Sequence, residues 1–161
     1  MKTKLLRVFL AAASAFVLGG VVARADPPDG FTSAVLANGT LAQPTRINGS
    51  GIKFSTSGAT TVITQRGEFV TGGITGWHMH PGLTVVTVKS GTVTNHSGCH
   101  VTVLSAGQTF VEPPFTPILV PSPTGPAVVF ATLVVPAGSP ARIEVTPPEC
   151  SDESELESDS D

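Results

Sequence analysis

Positive charge is scarce in this chain: 161 residues carry 9 Lys and Arg, and only 13% of all residues are charged. A phosphate backbone is gripped by many cations at once, so no nucleic-acid partner is expected. Apolar runs long enough to span a bilayer are missing after the first 25 residues, which leaves no stable membrane span in the remainder. No 11-residue window between 31 and 148 carries a helical stripe, which excludes a helix bundle. Thiols are limited to Cys99 and Cys150, and no His follows His100.

The two ends of the chain stand apart from the body. Lys2, Lys4 and Arg7 precede a small and apolar stretch over 8–22, and Ala23-Arg24-Ala25 supplies a small-x-small cleavage signal. This pattern predicts a signal peptide over 1–25, removed near Ala25, and a secreted or periplasmic mature protein. Its removal leaves Arg46, Lys53, Arg66, Lys89 and Arg142 against all 12 acidic residues. Seven of those acids (Glu149, Asp152, Glu153, Glu155, Glu157, Asp159 and Asp161) fall in the last 13 positions. Residues 151–161 hold one Leu and no aromatic residue, too little apolar area to offset ordering entropy, so an acidic disordered tail is expected there. Residues 26–150 are expected to form a single domain.

That domain reads as all-β. Short Val-, Thr- and Ile-rich runs at 60–64, 83–88, 101–104, 118–120, 128–135 and 142–145 are separated by Gly, Pro, Asn or Ser. The run 127–135 is apolar almost without break and suits a strand covered on both faces. Asn38-Gly39, Asn48-Gly49, Lys89-Ser90-Gly91 and Ser97-Gly98 are expected turns. About ten short strands at this spacing predict a sandwich or a barrel. In an oxidising compartment two cysteines are most simply one disulfide, Cys99 to Cys150, closing a loop of about 50 residues. The alternative is Cys99 as a metal ligand beside His96 and His100.

Chemistry concentrates in Gly76-Trp77-His78-Met79-His80-Pro81-Gly82. Residues i and i+2 of a strand share a face, so His78 and His80 can aim two imidazoles at one point while Met79 turns away. Two neutral imidazole nitrogens are half of a transition-metal site. Without metal, the same two rings would serve as polar groups lining a pocket of Val, Ile and Thr.

The spacing of Gly72, His78-Met79-His80 and Gly91, followed by Gly107 and Pro113, resembles the two motifs of the cupins, a family of small β-barrels, over residues 31–148. The stretch 110–114 and the late cysteine resemble a subgroup of small exported members. The resemblance implies an all-β cupin-type jelly roll (a double-stranded β-helix barrel) and a metal held by His78 and His80. It also locates the departures: Thr84 stands where the family has a Glu ligand, Phe115 replaces a Gly, Ile118 a third His ligand, and Ser122 an Asn. Glu112, just before Pro113, could turn inward to replace a missing ligand, although strand alternation does not require it. His96 and His100 are expected at the rim.

Two functions follow. The first is an exported, non-catalytic or weakly metal-associated cupin that binds a small molecule, with Trp77, His78, His80 and Ile118 as ligand-binding residues and no certain cofactor. The second is a metal-dependent enzyme of the dioxygenase or isomerase type, in which His78 and His80 hold a divalent Fe, Mn, Zn, Cu or Ni ion. Copper–zinc and cupredoxin sites lack the required downstream His and Met ligands. No Gly-x-Ser-x-Gly elbow is present to serve a hydrolase.

Overall fold

The computed structural model describes residues 27–150; the expected signal peptide and the acidic tail both lie outside the described residues. Within them are twelve strands and no helix. The strands are β1 (Asp29–Leu41), β2 (Arg46–Gly49), β3 (Ile52–Ser55), β4 (Thr60–Ile74), β5 (His78–Met79) and β6 (Leu83–Ser90). They continue with β7 (Thr92–Ser97), β8 (His100–Ser105), β9 (Thr109–Glu112), β10 (Ile118–Leu119), β11 (Ala127–Pro136) and β12 (Ile143–Glu144). One five-stranded sheet runs β1-β4-β11-β6-β9, a second runs β12-β5-β10-β7-β8, and β2 and β3 form a separate hairpin. All strand pairs are antiparallel.

Alternation explains how the sheets face each other. On β11 the residues Ala127, Val129, Ala131, Leu133 and Val135 are buried, whereas the side chains between them are only half-buried. Of the two faces expected to be covered, one is core and the other is only partly covered. Val86 and Val88 of β6 and Phe69 of β4 join the same cluster from the first sheet. Val93 of β7, Leu104 of β8 and Ile118 of β10 join it from the second. Each fully buried Val or Leu there contributes roughly 1.5–3 kcal/mol, enough to fix which face of each strand turns inward.

Two expected turns fall elsewhere. Asn38 and Gly39 lie within β1, paired with Ile63 and Val62 of β4. As the edge of its sheet, β1 needs only one partner and accommodates a register shift between Val35 and Ala37. The β2–β3 reversal uses Ser50 and Gly51, with φ of 52° and 79°, rather than Asn48-Gly49. Two successive positive φ values are what a two-residue hairpin demands. The expected disulfide is formed between Cys99, in the β7–β8 turn, and Cys150, with Cα atoms 5.6 Å apart.

Candidate metal centre

The site begins at a short strand bounded by two glycines. Gly76 adopts φ 69°, and its carbonyl oxygen accepts a hydrogen bond from His78 Nδ1 at 2.9 Å. Gly82 passes so close to β11 that an added Cβ would collide with the Val134 carbonyl. Between them the chain alternates: His78 and His80 are buried, and half-buried Met79 pairs with Ile143 of β12. Ile118 pairs with His78 on the opposite side.

Both rings are held at Nδ1. His80 Nδ1 donates to the carbonyl oxygen of Ala141 at 2.5 Å, as His78 does to Gly76. A carbonyl can only accept, so Nδ1 carries a proton in each ring, which leaves Nε2 as the atom that can offer a lone pair to an ion. His78 is kept neutral: burial first, and the nearby Arg142 guanidinium second, lower its pKa from 6.5 to about 3, against the pull of the Gly76 carbonyl.

Glu112 completes the group. On β9 the pattern is exposed, buried, exposed, buried, so Phe110 and Glu112 point inward together. Plain alternation along β9 turns the carboxylate inward. One atom of each of His78, His80 and Glu112 able to ligate a metal lies within 4.8 Å of the other two, and all three residues are buried. His80 Nε2 and Glu112 Oε2 are 3.1 Å apart. A lone pair facing a carboxylate is repulsive, so this contact calls for positive charge, either a proton between the pair or a metal ion touching both. Two ligands about 2.1 Å from one ion and at right angles to each other stand about 3 Å apart, so the spacing suits a metal. Two imidazoles and one carboxylate form the donor set of metal sites that keep positions open.

The triad opens into a cavity of about 320 Å³. Its walls are mainly apolar, with Phe31, Phe69, Phe110, Val129 and Leu133 among them, and Arg142 also lines it. Arg142 donates from Nε and Nη2 to the two carboxylate oxygens of Glu144, holding that carboxyl below its usual range, and from Nη2 to the Thr75 carbonyl. Thr84 also faces the cavity, is 1% exposed, and its Oγ1 has no hydrogen-bond partner among the described residues. A buried hydroxyl without a partner costs about 1–3 kcal/mol.

The remaining residues singled out from sequence lie outside this cavity. Ile118 is fully buried and pairs with His78 but is not among the residues lining the cavity. Trp77, which precedes the inward His78, is half-buried and packs edge-on against His96 with ring centroids 6.3 Å apart. His96 is half-buried and His100 exposed, and neither joins the metal-ligating group. Cys99 is no ligand, since its sulfur is in the disulfide. Ser122, in place of the family Asn, donates to the backbone oxygens of Thr92 and Gly125 and so fastens a turn. Phe115, in place of the family Gly, takes φ 55° and donates its N–H to the His80 carbonyl at 2.8 Å.

The depressed His78 pKa has a measurable consequence for metal-free protein. Unfolded chain takes up a proton at this ring near pH 6.5, whereas folded chain resists it until about 3, so the unfolded state binds more protons between those values. Stability then falls as pH drops, by about 3 kcal/mol between about pH 7 and about pH 4 from this ring alone, and is flat above pH 7. Urea melts of the metal-stripped protein should show this slope, and His78→Gln should remove that part of it. Equal slopes in both proteins would refute the assignment.

Two facing antiparallel sheets, with a His-x-His strand opening into the space between them, define this molecule as an all-β cupin-type jelly-roll barrel. No protein-family profile and no curated protein matches the chain. Solved structures do. Peruvianin-I, described as a cysteine peptidase from Thevetia peruviana latex, is 19% identical with a TM-score of 0.52, over 73% of this chain and 68% of that one. A cupin 2 conserved barrel domain protein from Leptotrichia buccalis is 20% identical with a TM-score of 0.48, over 65% of this chain. A cupin superfamily protein from Desulfitobacterium hafniense is 13% identical with a TM-score of 0.48, over 65% of this chain and 77% of that one. The chain spans only 40% of the length of the Leptotrichia protein. At 19% identity the likeness to Peruvianin-I concerns the fold alone.

Proposed function

We propose that this chain is an exported metal-binding cupin, in which His78, His80 and Glu112 hold a divalent first-row transition ion and the adjoining cavity receives a small organic molecule. The observation that carries this reading is the 3.1 Å approach of His80 Nε2 to Glu112 Oε2, with both His Nδ1 atoms already committed to backbone carbonyls. Every feature of the triad that the chain controls favours a cation: fixed tautomers, a neutral His78 and a buried carboxylate.

Such an ion would supply Lewis-acid or oxygen-activating chemistry at its open positions. The chain's own share is to orient the rings through Gly76 and Ala141, to exclude bulk water with the phenylalanine walls, and to shape the space in which a ligand lies. Export is supported by the disulfide, which persists in oxidising compartments, together with the amino-terminal sequence pattern. Peptidase chemistry like that named for Peruvianin-I has no nucleophile here, because both cysteines are oxidised.

Elemental analysis of the mature, natively produced protein should find about one divalent transition ion per chain. Metal-free material that also fails to take up Fe(II), Mn(II) or Zn(II) on dialysis would overturn the metal centre and leave the barrel as a container for small molecules.

A further inference from the structure

We infer that Thr84 is the specificity-determining contact of the cavity, and that the ligand it selects is a small carboxylate with a compact apolar body. The inference rests on the metal reading above, and it concerns a residue that stands where the resemblance leads one to expect a ligand carboxylate.

Thr84 of β6 pairs directly with Glu112 of β9. The carboxylate of this site therefore comes from the neighbouring strand, and the position left over carries a hydroxyl beside it. Side chains opposite one another in an antiparallel pair have Cβ atoms about 4.5–5.5 Å apart, so whatever reaches the Glu112 side of the triad also passes the Thr84 hydroxyl. That hydroxyl is buried, lines the cavity and finds no partner among the described residues. Buried polar groups are nearly always hydrogen-bonded, and the side from which a partner can approach is the cavity.

Charge and shape name the partner. A divalent ion held by two neutral imidazoles and one carboxylate retains positive charge, whereas the Arg142 guanidinium at the cavity wall is already matched by Glu144. An anionic oxygen head is therefore favoured at the ion, and its second oxygen can accept from Thr84 Oγ1. Beyond this polar corner the walls are Phe31, Phe69, Phe110, Val129 and Leu133, with the Phe31 and Phe69 rings 4.6 Å apart. A volume of about 320 Å³ lies at the small end of ligand pockets, which span roughly 300–1,000 Å³, and suits a body of one ring or a short branched chain.

The test separates ion from ligand. Zn(II) is titrated into the metal-stripped full-length mature protein, and benzoate is then titrated into the Zn(II)-loaded protein by calorimetry. Benzoate should bind at least about tenfold more tightly than nitrobenzene, a neutral molecule of nearly the same shape, and this comparison needs no variant. Thr84→Val, which keeps the shape and removes the hydroxyl, should bind Zn(II) as wild type does but benzoate at least about tenfold more weakly, and Thr84→Ser should restore it. Zn(II) uptake with no preference for benzoate, or with Thr84→Val unchanged toward it, would overturn this inference while the metal centre stands. Failure to take up Zn(II), Fe(II) and Mn(II) alike would sink both.

Discussion

Glu112→Gln is expected to weaken metal binding by at least about 100-fold while leaving the metal-free protein as stable as wild type or slightly more so. The two halves of this result have different causes. An amide oxygen carries no charge, so the ion loses the one anionic ligand that offsets its charge in a buried site, and losing even a residue that merely supports a ligand costs about 10–100-fold. In the absence of metal a proton between His80 Nε2 and Glu112 Oε2, 3.1 Å apart, already makes this contact a hydrogen bond, and the Gln side chain keeps one by offering its N–H to the Nε2 lone pair without burying a charge. A structural ion pair would behave differently: removal of one buried charge would leave the other uncompensated and cost about 3–5 kcal/mol. Metal titration and urea denaturation of the same variant therefore discriminate between the two roles. Unchanged metal affinity with a large drop in stability would make Glu112 and His80 a structural pair.

Opening the disulfide should have the second largest effect, and it should reach the metal. Cys99 and Cys150 are 51 residues apart, and on the chain-entropy model a loop of that length contributes about 4 kcal/mol. Cys99→Ser/Cys150→Ser is expected to lose stability of that order in denaturant melts. The end it frees is lightly held. β12 has two residues, pairs only with β5 and is followed by one hydrogen bond from the Val145 N–H to the Trp77 carbonyl. Ala141, whose carbonyl fixes the His80 ring, belongs to this same segment. Metal affinity should fall by about tenfold in the double variant, the lower end of what loss of a ring-orienting partner costs. Equal metal affinity with the bridge removed would show that β12 keeps its place unaided.

Much of this arrangement is visible in the order of residues, and what is hidden is hidden for a physical reason. The runs at 83–88, 101–104 and 128–135 fall within β6, β8 and β11 because β-branched side chains recur there with clear breaks on either side. His78-Met79-His80 reveals its inward pair through two-residue periodicity alone. The second half of β4 is obscured by Gln65, Arg66, Gly67 and Glu68, whose composition reads as a loop, although its alternate residues Gly67 and Phe69 are buried. β1 is nearly all exposed and so carries no burial pattern to read.

Glu112 is the instructive omission from the expected ligand set. The alternation of 109–112 was enough to turn it inward with Phe110. Its relation to the histidines is another matter, because it depends on β9 pairing beside β6 so that Glu112 faces Thr84. Such adjacency across strands cannot be read from spacing along one strand. For that reason Thr84 signals a missing carboxylate in the sequence, whereas in space its neighbour Glu112 sets one beside the histidines.

The carbonyl that steadies His80 belongs to a residue 61 positions further along the chain. During synthesis, therefore, His80 emerges well before the group that aims it, whereas the carbonyl that holds His78 lies two residues before it. For the metal-binding role proposed above, loading with an ion would be one of the last events in the life of the nascent molecule, deferred until nearly the whole body of the domain has been delivered.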